Sequence, residues 1–192
     1  HINPRFKSCF NIIHLNFPND AQIERIYNNL AKNHFILFDE SVKSCLENIT
    51  KATIDIFKKS ALHEFLPSPS QSHYLFSMRD ISKVYQGLLN SDSRFIDTKE
   101  TMLRFWCHEM YRVFYDRLCH MKDQQRFIEL LDYRLSSSFD TSYQELMEKK
   151  QLSNIQPIFS DILKDELILN TIESSSNNNK QKEQSYNQEL TF

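Results

Sequence analysis

The residue best equipped for chemistry in this sequence is Arg79, two places after Ser77 and directly before Asp80. Ser77 is a helix N-cap by type, and Asp80 three residues on makes the carboxylate form of a capping box. Arg79 therefore falls in the first turn of a helix. A guanidinium held on a rigid helix start suits paired hydrogen bonds with phosphate oxygens. The competing role is structural, as a salt bridge to Asp80 or a neighbour, or as an ordinary surface side chain. The chain carries no phosphate cradle of its own. Gly87 is the only glycine among 192 residues, whereas Walker A and dinucleotide loops need several so that backbone N–H groups come close to phosphate. Autonomous ATP hydrolysis is not expected.

Other chemical signals dissolve on inspection. His108-Glu109 opens like a zincin motif, but position 112 is arginine, so the second ligand is missing. Cys107-His108 and Cys119-His120, on one helix, would stand about 18 Å apart at a rise of 1.5 Å per residue and could share a metal only if that helix broke. No serine sits in a GxSxG context. The four cysteines, Cys9, Cys45, Cys107 and Cys119, lack CxxC spacing and read as reduced thiols rather than a disulfide framework. A formal net charge of −2 provides no basic groove for nucleic acid, and the aromatic stripe around Trp106 reads as helix core. No apolar run of about 18 residues suggests a membrane span. The chain opens at His1 with neither a methionine nor a signal-like start, which suggests a fragment or a truncated gene model.

The elements that would position Arg79 are mostly helices. Pro67 and Pro69 stiffen a turn, and residues 73–76 suit a brief strand. After Ser77, Met78, Ile81, Val84, Tyr85 and Leu88 share one helical face, with Arg79 and Lys83 off it. Upstream, residues 10–17 read as a strand closed by Pro18-Asn19-Asp20. Asp20 can cap a helix whose inner face is Ile23, Ile26, Tyr27 and Leu30. From about Ser41 a long helix buries Val42, Cys45, Leu46, Ile49, Ile56 and Phe57 and exposes Lys43, Glu47, Lys51 and Lys58. Residues 90–93 are a polar connector. Residues 98–121 read as one helix with Leu103, Trp106, Met110, Val113, Phe114 and Leu118 inside. Its outer face carries Glu109, Arg112, Asp116 and Arg117, with Arg112 and Asp116 paired at i,i+4. Helices over 122–135 and 143–149 come next, then 157–163, extended or in a short turn. A low-complexity tail runs from Ser174 and is expected to be disordered. Forty per cent hydrophobic residues, with 15 phenylalanines, suffice for a packed core.

Three ordered blocks carry a family resemblance. Pro67, Pro69, His73-Tyr74, Arg79-Asp80 and Gln86-Gly87 resemble the lid of the third AAA+ module of an axonemal dynein heavy chain. Asn3-Pro4-Arg5-Phe6 and Phe10-Asn11-Ile12-Ile13 resemble the end of that module's large subdomain. The run from Leu103 to Leu118 resembles the helix opening the fourth module. The resemblance implies a mainly α fold: residues 1–18 a short N-terminal strand remnant, 19–93 the helical lid, 94–173 the start of the fourth module and 174–192 the tail. It further implies that Arg79 matches the sensor II arginine, which reaches the γ-phosphate of nucleotide in its own module. Arg5 lies where such modules carry an arginine finger toward the neighbouring module's nucleotide; a structural residue at the ring interface is its other reading. The cofactor implied is ATP with Mg in the intact motor, and none for the fragment alone, which lacks Walker A and Walker B. Implied partners are the neighbouring AAA+ modules, dynein complex subunits and microtubules, in the cytoplasm, cytoskeleton and ciliary axoneme, with no nucleic acid or membrane. The alternative from another class is a helical protein–protein interaction module whose aromatic faces never meet nucleotide.

Overall fold

The computed structural model describes residues 2–148 and Phe159. The chain divides into two units, residues 1–157 and 158–192, and every described helix lies in the first. The expectations for 157–163, save Phe159, and for the tail from Ser174 lie outside the described residues.

Among the described residues there are seven α-helices: α1 (Pro4–Lys7), α2 (Asp20–His34), α3 (Glu40–Lys59), α4 (Met78–Leu88), α5 (Lys99–Val113), α6 (Met121–Phe139) and α7 (Tyr143–Glu148). The mainly helical expectation holds. No helix among them is long and apolar enough to cross a membrane.

The centre of the bundle is α3, which packs against α2, α4, α5 and α6. Its burial is too wide for a single stripe, since Thr50 and Thr53 are fully buried along with its apolar residues. Each threonine hydroxyl donates to the carbonyl four residues back, Leu46 and Ile49. Each then accepts from a neighbouring helix: Tyr85 of α4 at 2.6 Å and Trp106 Nε1 of α5 at 2.9 Å. Buried aromatic bodies thus find partners for their polar tips. Tyr27 of α2 stacks on Tyr85 at 4.4 Å between centroids, closing the layer on the other side.

Several expectations need correction. Residues 10–17 form no strand: they pair with no neighbouring segment, the Phe10 N–H bonds back to Lys7 O, and Ile13 and Leu15 are 80 % and 87 % exposed. A strand needs a neighbour to complete its ladder, and the sole bridge among the described residues is Ser68 with Gln71. Residues 73–76 likewise form no strand. They leave the proline turn through a Tyr74 N–H bond to Gln71 O, while the Tyr74 side chain is buried. In α2 the cap is Asn19, which exchanges bonds with Gln22 in a capping box; Asp20 instead pairs with Lys58. Ile26 and Leu30 are about half exposed, because Ile23, Tyr27 and Ala31 take the contact with α3.

The helix expected over 98–121 breaks after Val113. A 3-10 turn, Tyr115–Arg117, comes next, and α6 starts at Met121. Phe114 and Leu118 stay buried through the break, which is why the apolar spacing reads as continuous helix. The freed polar groups are taken up locally: Gln124 Nε2 donates to Leu118 O at 2.8 Å, and the Cys119 N–H to the Tyr74 hydroxyl at 3.0 Å. The break lets α6 fold back onto α3.

Candidate functional site

Arg79 sits in the first turn of α4 with its side chain exposed. It lines a cleft of ≈ 760 Å³ together with Ser77, Met78 and Phe76, the end of α3 at Phe57 and Lys58 with Ala61 just beyond it, and Phe17, Pro18 and Asp20 at the start of α2. The helix start is well defined. The Asp80 carboxylate accepts the Ser77 N–H at 2.7 Å and its hydroxyl at 3.3 Å, completing the capping box. The N-terminus of α4 carries the positive end of the helix dipole, and Arg79 adds a full charge beside it.

Asp80 does not neutralise Arg79. Its side chain is nearly buried and its Oδ1 takes Arg117 Nη2 at 2.7 Å, with Lys83 Nζ at 3.5 Å. Burial alone would raise the Asp80 pKa. The Arg117 hydrogen bond, the Ser77 N–H and the charges of Arg117 and Lys83 outweigh it and hold the carboxyl below its ordinary value. The structural role considered for Arg79, an ion pair with Asp80, is therefore taken by Arg117. Among the described residues the Arg79 guanidinium has no ion pair.

Helical spacing puts Arg117 on the outer face of a continuous helix; the break turns it inward. Besides Asp80 it donates to Leu75 O at 3.0 Å and lies over the Phe76 ring at 4.9 Å. No local sequence signal announces this, because it depends on where the helix stops. Glu109, expected outside, is also buried. Arg112 Nε and Nη2 bond it at 2.9 and 2.5 Å, and Arg112 also donates to Lys83 O. The expected Arg112–Asp116 pair gives way to this i,i+3 pair.

Arg5 is exposed on α1, where the Asn3 side chain accepts its backbone N–H at 2.9 Å. It is not among the residues lining the cleft. Cys107 is buried on α5 and Cys119 exposed beyond the break, so the two Cys-His doublets do not share a site.

A phosphate group would find one uncommitted guanidinium and the positive end of an 11-residue helix at the cleft wall. What this arrangement offers chemically is an anion-binding group: an exposed guanidinium in the first turn of a helix.

Residues 26–124 match the family described as dynein heavy chain, ATPase lid domain. The chain is 41% identical over 164 residues to dynein axonemal heavy chain 2 of Mus musculus and of Homo sapiens, a stretch covering 85% of this chain and 4% of each relative. It is 38% identical over 144 residues to the dynein-1-beta heavy chain of the flagellar inner arm I1 complex of Chlamydomonas reinhardtii, covering 75% of this chain and 3% of that one. The chain thus spans only about one twenty-fifth of the length of these axonemal heavy chains. On the lid match and these identities, it belongs to the axonemal dynein heavy chains, within their ATPase lid domain family.

Proposed function

We propose that this segment is the lid of the third AAA+ module of a dynein heavy chain together with the opening helices of the fourth. It closes over bound nucleotide and passes lid movement to the next module. Arg79 contacts the γ-phosphate as a sensor II arginine, and Arg5 points toward the neighbouring module's nucleotide. The parent protein is a microtubule motor that binds ATP with Mg and works in the ciliary axoneme. Its partners are the adjoining modules, dynein complex subunits and microtubules. Within the chain itself Arg79 binds and orients; the phosphate cradle and the hydrolytic groups belong to other parts of the motor.

The observation that carries this reading is the pairing of Asp80 with Arg117, which leaves the Arg79 guanidinium uncommitted at the cleft. A guanidinium paired to its neighbour would have to break that bond before taking phosphate; this one does not. The test is Arg79→Ala in the intact heavy chain, with ATP and ADP compared at the third module. A selective loss of ATP affinity with ADP affinity retained is the expected result. Equal ATP affinity and hydrolysis in variant and wild type would sink the sensor role and favour a helical interaction module.

A further inference from the structure

The chain leading into α4 is fastened to the α5–α6 turn at both of its ends. At one end the Tyr74 hydroxyl accepts the Cys119 N–H at 3.0 Å and donates to Asp123 Oδ2 at 3.0 Å. At the other, Arg117 bonds Asp80 Oδ1 and Leu75 O and covers the Phe76 ring. Between them Phe76 stacks on Phe114 at 5.5 Å, and Phe114 on Phe127 of α6 at 6.1 Å. Residues 74–80 therefore rest on 114–127 through aromatic stacking and side-chain hydrogen bonds rather than a backbone ladder.

We propose that Arg117 is a positioning residue that makes the start of α4 move as one piece with the α5–α6 turn, so that a phosphate gripped by Arg79 is felt across residues 114–121. This rests on Arg79 acting as the sensor arginine. Arg79 and Asp80 are consecutive in one helical turn, so any displacement of the guanidinium's anchor displaces the Asp80 carboxylate. The Asp80 side chain is 3% exposed. A shielded, charge-assisted bond of this kind resists stretching better than a surface pair, and loss of one partner strands a buried charge. Lys83, the second cation at Asp80, lies on α4 itself and transmits nothing across the junction. Arg112 also ties α4, at its middle through Lys83 O, but that contact is further along the helix from Arg79 than the Asp80 contact.

The test is amide hydrogen exchange on the intact heavy chain, with MgATP and MgADP as the two ligand arms. In the wild type, ATP and not ADP should slow exchange both at residues 79–82 and at residues 114–121. Arg79→Ala should remove both responses. Arg117→Gln, and separately Asp80→Asn, which keeps an oxygen acceptor for the Ser77 N–H, should keep the first response and lose the second. Arg117→Lys, which keeps the charge but not the fork that reaches Asp80 and Leu75 O from two nitrogens, should restore part of it. Unchanged exchange in α3 without nucleotide shows that each variant is folded. Survival of the ATP response at 114–121 in both Arg117→Gln and Asp80→Asn overturns the proposal. A response that survives Arg79→Ala but is lost in Arg117→Gln removes the sensor reading instead and leaves the mechanical link standing.

Discussion

Gly87 lies directly against the carboxylate of Glu109: a Cβ built on the glycine would collide with both carboxylate oxygens. The helix α4 runs through Gly87 to Leu88, so this glycine ends nothing. It clears space for the buried carboxylate of an ion pair whose arginine is exposed. Glu109 is held there by Arg112, which also reaches back to Lys83 O of α4. The only glycine of the chain is thus placed by a close approach between two helices.

Gly87→Ala is accordingly expected to destabilise the fold. Alanine would gain about 1 kcal/mol in helix propensity at an open site. Here the added methyl must displace the Glu109 carboxylate from its partners, and overpacking of this kind costs about 1–3 kcal/mol. The melting midpoint should fall in Gly87→Ala and recover in Gly87→Ala/Glu109→Ala, where the obstructing carboxylate is gone. A rise in the single variant would show that the side chains part without cost.

Asp80 makes stability depend on acid pH. Its folded pKa is depressed, so its contribution is complete above the ordinary carboxylate value of about 3.9 and is lost as pH falls through the lower folded value. Denaturant unfolding of wild type and Asp80→Asn should show a constant stability gap at neutral pH. The gap should close only below about pH 4. A gap that narrows between neutrality and the carboxylate range would place the titrating group elsewhere.

Helix existence and most core faces are legible in the apolar spacing, because α4 keeps one period from its cap and the larger apolar residues of α3 repeat at helical spacing, although burial of α3 extends to Thr50 and Thr53. What escapes the spacing are features set by neighbours. The stop after Val113 has no glycine or proline to mark it. It is imposed by Phe114 and Leu118 packing into the core while Tyr74 and Gln124 absorb the freed backbone groups. Without that break, Arg117 can only be assigned to the outside. Glu109 is misplaced for a related reason: a charged residue reads as solvent-facing unless its partner and the glycine opposite are seen together. Arg79 is legible because cap, arginine and helix are all local. Its freedom from Asp80 is not, because Arg117 lies 37 residues from Asp80.

The four thiols should separate cleanly by accessibility. Burial pushes the Cys45 thiol up to about 11, moderated by the charge of Lys99, and raises that of Cys107 further. Cys9 and Cys119 are exposed, the latter with its sulfur 3.3 Å from His73 Nε2. Alkylation of the folded chain near neutral pH, followed by peptide mass spectrometry, should label Cys9 and Cys119 and spare the others until denaturant is added. Early labelling of Cys107 would mean that α5 opens at its centre.

The bond between Trp106 and Thr53 offers the sharpest test of the core. Trp106 is fully buried, and its Nε1–H has Thr53 Oγ1 as acceptor at 2.9 Å. Thr53→Val keeps the shape of the side chain but removes the acceptor, leaving a buried donor unsatisfied at a cost of about 1–3 kcal/mol. Trp106→Phe removes the donor too, and it also loses apolar contact and opens space. Replacing both residues should therefore cost less than the sum of the two single changes, the excess being the coupling between them. Because Trp106 is the only tryptophan of the chain, unfolding of the wild type and of Thr53→Val can be followed by its fluorescence, and the Phe variants by circular dichroism. Strict additivity would mean that the indole N–H finds another acceptor in the folded chain, and that α3 and α5 are held together by apolar contact alone.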